Sequence, residues 1–376
     1  MTPVVAVLHA EDIALEFLSV LARHAGDDVH VLAGARAEPV VLPGGRPLAE
    51  RLDLLAPHVD PGGNTAPLPA TETLAARLRD VPEPEVWTHS PADHRSRRAR
   101  FGRSVVHAAG VAACAVGDNP HLQLIADLAV SLDGAQAAAK LGFAAIHAAP
   151  LLNSRVADRL VTTDRVPAVE RFVRLEPGPA DRLYALTASL TDDAAQVADP
   201  WEFESSAYEG ARLDATAAWV ARWWVPDDGP VVEVGACEGA LARRLVDKGY
   251  TVYAAEPNPA FHARLRTVPG VEATADGLEE LAAGGPAGAY LLSEMLYYGQ
   301  DLDLLHRLPA NLLLISLAAE RLNDTVWPWV REQSAWTVAE RCELAAPALE
   351  FVCDGRAYLR KRGSRGLALT RTGGRA

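Results

Sequence analysis

The sequence predicts an α/β protein of two domains, residues 1–195 around a parallel sheet and residues 196–376 around a doubly wound sheet. Three observations predict it. A chain of 376 residues exceeds what one hydrophobic core usually supports. The opening, a β-rich run Val4–Leu8, a helical pattern through Ala25 and a second run Val29–Ala33, reads as a βαβ unit. Beyond Asp199 strands and helices alternate at the spacing of a doubly wound fold.

In order, residues 38–84 are rich in Pro and Gly with one or two helical stretches, Val86–Thr88 is strand-like, and Val105–Val116 and Ala135–Ala149 read as helix or buried strand. Arg182–Leu190 reads as the last strand of the first domain, and the polar stretch TDDAAQVADPWE sets the boundary near residue 195. The second domain then runs helix Tyr208–Trp224, strand Val231–Val234, helix Leu241–Lys248, strand Val252–Ala255, helix Pro259–Val268, a short third strand before Asp276, and strand Ala289–Leu292. No internal repeat is legible.

Composition bounds the function. With 49% hydrophobic and 23% charged residues and no apolar run near the roughly 20 residues that cross a bilayer, no membrane span is expected. The start lacks a basic n-region and carries acid by position 11, so a cytoplasmic location is expected. A net charge of −13 argues against nucleic acid as partner, because that affinity comes from basic side chains neutralising phosphates. Cys114, Cys237, Cys342 and Cys353 show no CxxC spacing and read as reduced thiols.

The chemistry of the second half starts at the carboxyl end of its first strand. Glu233-Val-Gly235-Ala236-Cys-Glu-Gly239 runs directly into a helix; the glycines open the backbone to a ligand, and the helix amino end favours a carboxylate such as that of S-adenosylmethionine. Glu256, ending the second strand about 20 residues on and followed by Pro257, is placed to accept hydrogen bonds from two ribose hydroxyls. Asp276 and Gly277 follow the third strand, where a carboxylate meets an adenine amino group. The turn lacks the GxGxxG fingerprint, which makes a dinucleotide dehydrogenase the lesser reading.

Together with Asp199-Pro-Trp-Glu-Phe-Glu-Ser-Ser-Ala-Tyr-Glu209, Arg212 and Leu291-Leu-Ser-Glu-Met-Leu-Tyr-Tyr298, these segments resemble the nodulation-type (NodS-like) N-methyltransferases over roughly residues 198–316. The resemblance implies a Rossmann-like (class I) fold and methylation of an amine, typically on a sugar freed by a deacetylase. It implies that Trp201, Tyr208 and Arg212 line the cofactor and that Ser293 and the Glu294–Tyr298 segment face cofactor and acceptor. Glu294 is the candidate for holding or deprotonating the amine, and Tyr297 or Tyr298 for stabilising developing positive charge. After Ser316 the sequence departs from that family.

In the first half, His9-Ala-Glu11-Asp12 follows the first strand and His89-Ser-Pro-Ala-Asp93-His94 follows Val86–Thr88, both at strand carboxyl ends. His9, Asp12 and His94 would make a two-histidine, one-carboxylate zinc site. The arrangement resembles the PIG-L/LmbE-like N-deacetylases over roughly residues 1–175, with an echo at Val169-Glu-Arg-Phe-Val-Arg-Leu-Glu-Pro-Gly178. The resemblance puts Glu11 in the general-base position. Ala10, Ile13 and Pro91 depart from the pattern, which points to catalytic decay. The arginines Arg95, Arg97, Arg98, Arg100 and Arg103 read as a charged helix face or a grip on an acidic group.

The expected function is a cytoplasmic S-adenosylmethionine-dependent methyltransferase of secondary metabolism that N-methylates an amino-sugar-like small molecule, fused to a deacetylase-like domain acting on the same substrate with zinc. Two alternatives stand beside it. In one the first domain only binds substrate or holds a homo-oligomer together; in the other the protein is an S-adenosylmethionine sensor without catalysis.

Overall fold

The computed structural model describes residues 1–34, 39–59, 67–117, 119, 122–147, 155–156, 159–160, 167–189, 192–297 and 299–372. The chain divides into two compact units: Met1–Asp193 with Phe351–Leu359, and Ala194–Glu350 with Arg360–Ala376.

The strands of the first unit are β1 (Thr2–Val7), β2 (Val29–Ala33), β3 (Val40–Leu42), β4 (Pro84–Thr88), β5 (Ala112–Ala115), β6 (Leu122–Leu124), β7 (Leu128–Ser131), a short hairpin β8 (Arg155–Val156) and β9 (Arg159–Leu160), and β10 (Val169–Leu175). Seven of them form one sheet in the order β3-β2-β1-β4-β5-β10-β7. The sheet expected to be parallel is mixed, because β3 runs against β2 and β10 runs against both β5 and β7. Val4 through Val7 are fully buried. Val4 and Ala6 pack into one core with Phe101 and Val105, whereas Val5 and Val7 face a second core with Phe17 and Trp87. A central strand covered on both faces reads as an unbroken apolar run for that reason.

Val105–Val116 resolves into the end of the helix Ser96–Ala109 and β5, and the stretch Ala135–Ala149 falls in the helix Gly134–His147, with residues 148 and 149 outside the described residues. The reading of Arg182–Leu190 as a strand is corrected: residues 177–188 form a helix begun by Pro177. Its buried positions Ala180, Leu183, Tyr184 and Thr187 recur every three or four residues, a helical period.

The second unit holds β11 (Val231–Val234), β12 (Val252–Ala255), β13 (Val271–Thr274), β14 (Gly288–Ser293), β15 (Ala310–Leu317), β16 (Trp336–Ala345) and β19 (Ser364–Arg371). Their order is β13-β12-β11-β14-β15-β19-β16, with β19 antiparallel to both neighbours. Renumbered within its own sheet, each unit has the strand order 3-2-1-4-5-7-6 with the last strand reversed. The repeat is topological and leaves no periodic trace in the sequence. Between β16 and β19 lies a hairpin of β17 (Ala348–Val352) and β18 (Ala357–Lys361). Its tip belongs to the first unit, where Ala357, Tyr358 and Leu359 pair with Leu124, Gln123 and Leu122, and Val352 and Cys353 enter the core.

Candidate functional site

In the second unit the strand order reverses direction between β11 and β14, and a crevice at such a switch point is where α/β sheets bind ligands. The turn after β11 is shaped for it. Gly235 and Gly239 have φ of +72° and +81°, left-handed values that side chains resist. The two glycines differ in what they clear. A Cβ at Gly235 would stand 3.0 Å from the Met295 side chain, whereas one at Gly239 would meet Leu265 at 2.7 Å and Val268 at 3.0 Å. Gly239 thus serves packing under the turn.

Glu256 folds back over this turn. Its two carboxylate oxygens accept from Cys237 N and Asn258 N, each at 2.8 Å. Burial raises its pKa against these two donors. Ala236 and Glu256 are buried, Pro257 is exposed, and Asn258 caps the next helix. Beneath the turn Glu233 is 3% exposed, with Oε2 lacking any hydrogen-bond partner among the described residues.

Burial, and then the charge of Glu256, push the Glu233 carboxyl up to about 8, so it is protonated at neutral pH. A raised carboxyl pKa means the folded state holds a proton that the unfolded chain releases near pH ~4.3. The stability from that proton is complete below the unfolded value and is lost as pH rises through about 8. Glu233→Gln should therefore flatten the fall in melting temperature between roughly pH 4.3 and the folded value of about 8. Identical slopes in wild type and variant would show that Glu233 is ionised in the fold.

The helix Ala207–Trp223, capped by Ser206, brings a charged group to the same crevice. Arg212 donates from Nε to Glu209 at 2.8 Å, and its Nη1 lies 4.0 Å from Glu294 Oε1. That Nη1 is buried without a hydrogen-bond partner among the described residues. Burial opposes the arginine's charge, but Glu209 and Glu294 outweigh it and raise its pKa. Glu294 follows β14 with φ +51°, a strained backbone for a side chain of its size. It accepts from Ser364 Oγ at 2.7 Å and from the Tyr297 hydroxyl. Burial and the Glu294 charge raise the pKa of that phenol.

The other expected cofactor residues are placed as follows. Trp201 packs against Phe203 and Phe261, with ring centroids 5.7 Å and 5.4 Å away. The Tyr208 hydroxyl donates to Ala346 O at 3.1 Å, with Lys361 over its ring. Asp276 accepts from Tyr253 OH at 3.3 Å, Gly277 N donates to Glu280 at 2.9 Å, and Ser293 Oγ lies 2.9 Å from Ser316 Oγ. Tyr298 lies outside the described residues. The sequence reading missed Lys361, which pairs with Glu209 at 2.9 Å and Glu350 at 3.1 Å, and Ser364. Both arrive on strands beyond the region of family resemblance and carry no local motif.

The first unit also gathers charge at its strand ends, in a different arrangement from the one expected. Asp12, fully buried, accepts from Arg98 Nη2 at 2.6 Å and from His9 N at 3.1 Å. His89, not assigned from the sequence, lies with Nε2 3.1 Å from Asp12 and Nδ1 3.0 Å from Glu16. Arg95 bridges Glu16 and Asp93. His94 Nδ1 is 3.8 Å from Asp93, Glu11 is buried, and burial, opposed by Asp12, lowers the pKa of His9. Among the described residues the trio whose ligand atoms come within 4.8 Å of one another is Glu16, His89 and Asp93. The expected metal set is His9, Asp12 and His94; of these, Asp12 is paired with Arg98. The arginine cluster is corrected, since Arg95 and Arg98 turn inward. Glu170 is structural too, accepting from Lys140 at 2.6 Å and from Ser19 Oγ at 2.6 Å.

No family model matches the chain, and no curated protein matches it. Solved structures resemble about half of it. Magnesium protoporphyrin IX methyltransferase (ChlM) from Synechocystis PCC 6803 is 18% identical, with a TM-score of 0.33, over 42% of this chain and 77% of its own. The N-methyltransferase NodS from Bradyrhizobium japonicum WM9 is 15% identical, with a TM-score of 0.34, over 47% and 94%. The glycopeptide N-methyltransferase MtfA is 17% identical, with a TM-score of 0.31, over 42% and 86%. Among the described residues no helix is long and apolar enough to cross a membrane.

Proposed function

We propose that the second unit is an S-adenosylmethionine-dependent methyltransferase that acts on the amine of an amino-sugar-like small molecule. One observation carries the reading: beside the switch point lie two buried polar atoms of opposite kind, Arg212 Nη1 and Glu233 Oε2, without a hydrogen-bond partner among the described residues. An unpaired buried polar atom costs roughly 1–3 kcal/mol, so both favour a ligand that satisfies them. The amino-acid end of S-adenosylmethionine offers a carboxylate to the guanidinium and an ammonium to the carboxyl. The residues present fit that cofactor.

When bound, the cofactor supplies an electrophilic methyl group. Glu256 accepts from the ribose hydroxyls, Asp276 meets the adenine amino group, and Trp201 and Tyr208 wall the crevice. Glu294 holds the acceptor amine as a hydrogen-bond acceptor and takes the proton that nitrogen must lose. Tyr297 and Ser364, donating to the same carboxylate, fix its direction, and positioning of this kind supplies most of the acceleration such transfers need.

Titration calorimetry with S-adenosylmethionine and its demethylated product tests the cofactor site. Wild type is expected to bind both, and Glu256→Ala to weaken both by about 10- to 100-fold through loss of the ribose contacts and of the turn's anchor. A wild type that binds neither ligand would sink the proposal. A mass-spectrometric screen of free and acetylated amines then reads the acceptor, with a gain of one methyl expected on free amines alone.

A further inference from the structure

We infer that in the first unit two guanidinium groups, that of Arg98 buried and that of Arg95 partly buried, occupy the place a divalent cation would take, so that neither group of potential ligands at these strand ends holds a metal. The inference is independent of the methyltransferase reading.

A zinc ion and a guanidinium compete for the same carboxylate oxygens, and a fixed positive charge beside those oxygens opposes a second cation. Each potential ligand group already holds such a guanidinium. In the group marked by sequence, Arg98 grips Asp12 with Nη2 at 2.6 Å and Nε at 3.2 Å, and Asp12 Oδ2 also accepts from His9 N. In the group marked by distance, Arg95 joins Glu16 to Asp93, and Arg95 N and Nε both donate to Asp93 Oδ1 at 2.8 Å. The remaining member, His89, is held at both nitrogens, with Nδ1 3.0 Å from Glu16 and Nε2 accepting from Leu8 N at 2.9 Å.

Charge leads to the same result. Asp12, His89 and Asp93 are at most 3% exposed and Arg98 is 8% exposed, so screening by water is weak at the first group, and it is partial at the second, where the Arg95 and Glu16 side chains are 17% and 20% exposed. A zinc ion at either group would sit beside a guanidinium that cannot lose its proton, unlike a lysine or histidine that could yield its charge to an incoming metal. Admitting the metal means expelling an arginine from its carboxylate and leaving a buried charge unpaired. The guanidiniums also do what a structural metal does. Arg98, on the helix Ser96–Ala109, ties that helix to the helix Glu11–Glu16 through Asp12, and Arg95 ties Glu16 to the segment after β4. A cation of fixed position has been built into the chain.

The experiment is metal analysis of the full chain produced in zinc-supplemented medium, with melting followed with and without a chelator. Less than about 0.1 zinc per chain and a melting temperature indifferent to chelator are expected. Zinc that survives Asp12→Asn and Glu16→Gln would lie elsewhere and leave the inference standing. One zinc per chain that departs with Asp12→Asn or Glu16→Gln would overturn it. Arg98→Met, which removes the built-in cation, should lower the melting temperature by about 5 °C or more with or without added zinc. An Arg98→Met protein that melts like wild type would equally overturn it, and if that variant does not fold, the wild-type metal content decides.

Discussion

Replacing Lys140 by Met is expected to destabilise the first unit by about 3–5 kcal/mol, the usual cost of stripping one partner from a fully buried ion pair. Lys140 and Glu170 are each about 1% exposed and 2.6 Å apart. The lysine also donates to Pro167 O at 3.0 Å. Glu170 accepts in addition from Leu18 N at 3.1 Å and Ser19 N at 2.8 Å, so it joins the helix Leu18–Arg23 to β10 and to the helix Gly134–His147. Methionine fills the lysine's volume but leaves a carboxylate charge in a dry interior. Adding Glu170→Gln removes that charge while keeping an acceptor for Ser19, and the double variant should regain part of the loss. Denaturant unfolding of the two variants checks both statements; a Lys140→Met protein within about 1 kcal/mol of wild type would refute the first.

Gly239→Val should have the second large effect, in the second unit. Valine at φ +81° is strained by roughly 1–2 kcal/mol, and its Cβ would stand 2.7 Å from Leu265, adding the roughly 1–3 kcal/mol of an overpacked core. The helix Ala240–Asp247 would have to move, and the turn that Glu256 anchors would move with it. Unfolding measurements should show a loss of about 3 kcal/mol or more, accompanied by weaker cofactor binding. Gly235→Ala separates the two causes, because the methyl there would press on the flexible Met295 side chain.

What the sequence disclosed followed from how local each signal was. β11, β12 and β14 are short apolar runs bounded by turn residues, and the glycine turn with Glu256 lies within one βαβ unit, so strand ends and a candidate site could be read together. Arg182–Leu190 misled because apolar residues near every second position imitate a strand, while the Pro177 that begins the helix lies outside that window. Other contacts carried no local sign. Lys361 reaches Glu209 across 152 positions, Ser364 reaches Glu294 across 70, and Arg98 reaches Asp12 across 86. A motif reading saw His9, Asp12 and His94 at plausible spacings, yet could not see that a guanidinium 86 residues away had already claimed the carboxylate between them.

The hairpin tip at Phe351–Leu359 bears on the order of events during synthesis. Val352, Cys353, Ala357 and Leu359 are part of the first unit's core, and Leu122–Leu124 finds its strand partner there. A nascent chain that has emerged through residue 193 therefore contains all the strands of its seven-stranded sheet but lacks part of its core. Domains commonly fold one after another as they leave the ribosome. Here the first unit's core lacks part of its apolar lining until residues 351–359, which follow most of the second unit in the chain, have been made.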